Sequence, residues 1–123
     1  MSLETKKECS WSMSMGYMLS MENIFYTFRN FYKADPEKQE IRIDACHHPD
    51  MKGVFLDEIV INKDNFDYAY YTTVFSQPEI RIKLRNIKEF NFVFQKPTKE
   101  FISDLKLCFP AKKLYGFSKI DQQ

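Results

Sequence analysis

Residues Glu79 to Arg85 read EIRIKLR, an alternation without a break. Ile80, Ile82 and Leu84 fall on one parity; Arg81, Lys83 and Arg85 fall on the other. Successive side chains of a strand project to opposite faces, so the stretch reads as one β-strand with an apolar and a cationic side. Slipping its register by one residue would exchange the two sets and bury three cations, so the pattern demands a sheet with one packed face.

Other segments share the period of two. In CSWSMSMGY, Trp11, Met13, Met15 and Tyr17 alternate with small residues, and EIRIDA puts Ile41, Ile43 and Ala45 on one side. VFLDEIVINK, FDYAYYTTVF and FNFVFQ are rich in β-branched and aromatic residues, which favour strands. Turn signals separate them: ADPEKQ, CHHPDMKG, KDN and SQP. MENIFYTFRNFYKAD fits two periods. As a helix it aligns Ile24, Phe25, Phe28, Phe31 and Tyr32 behind a Ser20 cap; as a strand it aligns Ile24, Tyr26 and Phe28, and its aromatic content tips the reading to a strand. After Pro97 the period changes. Thr98 reads as an N-cap, Phe101, Ile102, Leu105, Cys108 and Phe109 recur at helical spacing, and Pro110 ends the helix.

The expected fold is therefore mostly β with a C-terminal helix: seven strands, then one helix. The alternative is an α+β fold, an antiparallel sheet with an N-terminal and a C-terminal helix. Residues 1–8 are polar and read as a disordered tail, with a single domain over 9–123. With 123 residues, 12 Phe and 7 Tyr against 3 Gly, the chain can bury a core without staples. Its net charge of +1 makes a duplex nucleic-acid coat an unfavoured reading. Cys9, Cys46 and Cys108 lack any CxxC spacing, so free thiols in the cytoplasm or nucleus are expected, and no secretory or transmembrane segment is apparent.

Seven short strands capped by one amphipathic helix, ending in FNFVFQKPTKEFISDLKLCF, resembles the pleckstrin-homology-like superfold over residues 9 to 109. That resemblance implies a partly open seven-stranded barrel closed at one end by the helix. Phosphoinositide-binding members carry a basic signature at the first hairpin. Here the first two strands offer only Arg29, Lys6 and Lys7. The protein-docking members of the superfold are thus the nearer analogy.

Three groups of residues could carry chemistry. Arg81, Lys83 and Arg85 could grip successive phosphates or an acidic partner; as plain surface they would pair with carboxylates such as Glu40, Asp44, Asp57 and Glu58. Cys46, His47, His48 and Asp50 are metal-competent, but their spacing matches no zinc pattern, and no metal or other cofactor is expected. In DYAYY, Tyr68 and Tyr70 share one parity while Tyr71 takes the other with Ala69; such aromatics stack on bases or, more often, pack in cores. No glycine-rich phosphate loop or catalytic motif is present. The expectation is a non-enzymatic module that docks a protein partner within a larger assembly, with Arg81, Lys83, Arg85 and Tyr71 as its contact residues. The alternative is a phosphate-binding module for nucleic acid or anionic lipid; a small-ligand or enzymatic α+β domain comes third.

Overall fold

The computed structural model describes residues 6–15, 28–44 and 58–122. Seven strands follow one another: β1 (Lys7–Met15), β2 (Phe28–Asp35), β3 (Glu40–Asp44), β4 (Glu58–Asn62), β5 (Phe66–Val74), β6 (Gln77–Leu84) and β7 (Ile87–Gln95). Helix α1 (Lys99–Cys108) comes next, and an eighth strand, β8 (Leu114–Tyr115), follows it. The chain is mostly β with a C-terminal helix, as its periodicity requires. Two details differ from expectation, and one ambiguity is decided for the part described. Lys7 and Glu8 belong to β1 rather than to a tail. The sheet has eight strands, because the short LY segment pairs in parallel with β5. The ambiguous segment is a strand from Phe28 onward; its residues 21–27 lie outside the described set.

All eight strands form one sheet in the order β4-β3-β2-β1-β7-β6-β5-β8. Two meanders, β1–β4 and β5–β7, are thus joined where β1 pairs with β7, at Trp11↔Phe94 and Met13↔Phe92. This order forces a curl. Six inter-strand steps separate β4 from β5, about 29 Å if the sheet were flat. The chain links Asn62 to Phe66 through three residues, which can span at most ~14 Å. The sheet must therefore bend until its β4 and β5 ends approach, and its concave face becomes the core.

That core is a single cluster. Ile41 and Ile43 of β3, Ile59 and Ile61 of β4, Ile80, Ile82 and Leu84 of β6, and Phe92 and Phe94 of β7 are all buried in it. The three aliphatic residues of EIRIKLR face inward, as the alternation predicts. Helix α1 fills the concavity. Thr98 Oγ1 accepts the Phe101 N–H at 3.1 Å, and Glu100 sits in the positive first turn. Phe101 stacks on Phe94 at 4.5 Å and meets Tyr32 edge-on at 5.1 Å; Phe109 stacks on Phe66 at 4.1 Å. Beneath the helix, the Tyr32 hydroxyl donates to Asp104 at 2.7 Å, and Lys7 Nζ pairs with the same carboxylate at 3.1 Å. This polar tie fixes the helix to β1 and β2. Leu114 and Phe117 of the tail also dock on the core. Among the described residues, no helix is long and apolar enough to cross a membrane.

Candidate functional site: a tyrosine shelf on the outer face

Cross-strand pairing lays out the outer, convex face in rows. One row runs Ser12, Val93, Arg81, Tyr70, Tyr115 across β1, β7, β6, β5 and β8. Tyr68 lies opposite Lys83 in the next row. The residues Arg81, Lys83, Tyr68 and Tyr70 therefore share one face. Tyr71 does not. It pairs with Ile80 and packs against the core, because Tyr71 follows the parity of Ala69, which is fully buried.

The expected stripe of three solvated cations is corrected at two points. Arg81 retains only 12% of its side-chain exposure and pairs through Nε with Glu79 Oε1 at 2.7 Å. Glu79 is itself buried, two residues back on the same strand. The partner is thus on β6, not among the neighbouring carboxylates Glu40, Asp44 and Glu58. Those serve the other half of the sheet: Glu40 and Glu58 hold Arg42, and Asp44 holds Lys6 at 3.0 Å. Arg85 lies beyond the end of β6, in the turn before β7, where its backbone N–H donates to the Asn65 carbonyl at 2.7 Å. Cys46, His47, His48 and Asp50 fall outside the described residues.

A different feature occupies this face. Tyr68 stacks on Tyr70 at 6.4 Å, and Tyr115 meets Tyr68 edge-on at 6.1 Å. Tyr115 is 56% exposed. The rings, with Tyr71 and Gly116, line an open concavity of about 430 Å³. Gly116 explains how Tyr115 reaches its place. Its φ of +77° is left-handed, and a Cβ there would fall 2.7 Å from the Tyr71 carbonyl oxygen. Only glycine lets the chain turn this close to β5. Burial raises the Tyr68 phenol above its usual pKa, and the charges of Tyr70, Asp67 and Tyr115 push the same way. The hydroxyl stays protonated at neutral pH and can donate a hydrogen bond.

A second, smaller cavity of about 200 Å³ opens between β1, β2 and the start of α1. Phe94 and Phe101 lie at its base, with Phe31, Glu8 and Lys96 around it. It has room for one side chain.

Both edges of the sheet are partly obstructed. The β5 edge is covered by β8 at Ala69 and Tyr70. On β4, the Asn65 side chain acts as a substitute strand: its Oδ1 accepts the Asn62 N–H at 2.8 Å, and its Nδ2 donates to the Val60 carbonyl at 2.7 Å. Cys108 is fully buried beside the Glu40 carbonyl, and burial pushes its thiol up to about 11, so it is no nucleophile.

Parity in DYAYY marks Tyr68 and Tyr70 as a pair, but it gives no sign of Tyr115, the residue that completes the shelf. The available signal was the set of apolar residues in the tail, Leu114, Tyr115 and Phe117. No protein-family model matches the chain, and no curated protein or solved structure matches it either.

Proposed function

We propose that this protein is a non-enzymatic interaction module of pleckstrin-homology-like architecture that docks a protein partner, as one component of a larger intracellular assembly. The architectural part draws support from seven consecutive antiparallel strands followed by a helix packed into their concave face. The cytoplasmic or nuclear setting draws on Cys9 and Cys108 being buried thiols rather than halves of a disulfide. The docking part is carried by one observation: a cluster of tyrosines, with Tyr115 more than half exposed, lines an open concavity on the outer face. Tyrosine presents a rigid ring and a hydrogen-bonding tip at low entropic cost, which is why it is enriched at interfaces. Strand addition, the other route open to a sheet protein, is disfavoured by β8 and by the Asn65 amide, so the partner meets a face rather than an edge.

The phosphate-binding alternative draws less support. Arg81 is engaged by Glu79, and Arg85 stands off the strand, so the three cations do not form a continuous track.

Affinity purification from the native cell, wild type against the Tyr68→Ala/Tyr115→Ala double variant, tests this reading. Partner proteins retained by the wild type should be lost from the variant while its melting temperature holds. Identical partner sets from both proteins would refute the shelf as the docking surface.

A further inference from the structure

A sheet edge is protected either from within its own strand, by charge, proline or a bulge, or by something laid over it. Strand β4 has the Asn65 amide. Strand β5 is protected differently. Asp67 and the register shift beside it lie at its start, and from Tyr68 to Val74 it holds no charged residue, proline or glycine. Tyrosine, threonine and valine favour strands, and an uncharged run of this kind pairs readily with copies of itself. Among the described residues, the strand that covers β5 on the side away from β6 is β8, at Ala69 and Tyr70. That cover is two residues long. Leu114 and Phe117 anchor it in the core, and Gly116 between them turns it over Tyr71. The protection of the longer strand thus comes from the C-terminal tail and hangs on one left-handed glycine.

We infer that β8 is an autoinhibitory strand: it holds the β5 edge against a second copy of this chain, and its displacement lets the β5 strands of two copies pair. Antiparallel pairing about a two-fold axis sets an edge against its own sequence, so the complementary surface is present in every copy. Over Thr72, Thr73 and Val74 such pairing brings β-branched residues together and opposes no like charges. Ala69, fully buried beneath β8, would be covered again by the second strand. The displacement also carries Tyr115 away from the Tyr68 ring, so the three-ring shelf is complete only while β8 is seated.

The test follows the full chain by sedimentation velocity and hydrogen exchange. Gly116→Val puts a β-branched side chain at a left-handed position, with its Cβ against the Tyr71 carbonyl, and should unseat β8. The amides of residues 114–120 should then exchange at least about tenfold faster, while those of β6 and β7 keep their protection. The variant should dimerise at concentrations where the wild type is monomeric. Adding Thr73→Lys, a charge on the bared edge, should return it to monomer. Leu114→Asp, which unseats β8 without changing the turn, should behave as Gly116→Val does. A released tail on a chain that stays monomeric would overturn the inference, as would a dimer that Thr73→Lys leaves intact or a wild type already paired through this edge. A tail that stays protected in both variants, or loss of the whole fold in both, would show that β8 is no displaceable strand and would overturn it equally.

Discussion

At the scale of single residues, the hairpin between β5 and β6 is the costliest local feature. Val74 pairs with Gln77, so Phe75 and Ser76 form a two-residue turn, and both adopt positive φ, 52° and 65°. Such turns favour Asn-Gly, because a side chain in the left-handed region costs about 1–2 kcal/mol per residue. Phe75 adds an exposed ring, 71% accessible, at the tip. Phe75→Asn with Ser76→Gly should therefore stabilise the protein by ~1–2 kcal/mol, read as a rise of several degrees in melting temperature. A fall would mean that the Phe75 ring has a packing role. Cys108 sets a second expectation. Its thiol is raised from 9.0 to about 11 by burial, so the folded state holds the proton more tightly than the unfolded chain does. The resulting stability is complete below about pH 9 and is lost as pH rises through 11. Tyr32, also raised by burial and by its bond to Asp104, pushes the same way at higher pH. Urea midpoints should decline between pH 9 and 11, and Cys108→Ala should flatten the part of that decline due to the thiol. An unaltered slope would show that the thiol is not its source.

At the scale of elements, strands and helix were legible because each carries its own period. EIRIKLR, EIRID and the Phe101–Leu105–Cys108 stripe each declare a buried face, and all of those faces are buried. What the period cannot show is which strands adjoin. Ser12, Val93 and Arg81 become neighbours only through the β1–β7 and β6–β7 pairings, and the pairing of Arg81 with Glu79 on its own strand has no signature in the alternation. β8 was illegible for another reason. Two residues are too few to show a period, and Gly116 acquires meaning only once the Tyr71 carbonyl lies beside it. The β4 edge is a similar case, since Asn65 looks like an ordinary turn residue until its amide is seen bonded to Asn62 and Val60. Asn65→Ala should cost about 1–3 kcal/mol and expose two backbone groups of β4. It should also promote self-association through that edge, measurable by sedimentation velocity. A variant that stays as wild type in both respects would show that the amide does not guard the edge.

At the scale of the whole molecule, two local meanders are held together by one long-range seam. Closing it brings residue 11 to residue 94, so it carries a large loop entropy and should limit the folding rate. Trp11→Phe should accordingly slow refolding in stopped-flow experiments, whereas Ile43→Val, inside one meander, should mainly hasten unfolding. A Trp11 variant altered only in its unfolding limb would place the seam after the barrier. The same seam has a consequence for biosynthesis. Strand β1 is made early, but the partner for its second edge, β7, is made about eighty residues later. At roughly 5–20 residues per second, that edge waits on the order of 4–16 s on the ribosome. Throughout that interval the Trp11 stretch has no partner from β7, which makes it the natural place for a nascent-chain chaperone to bind.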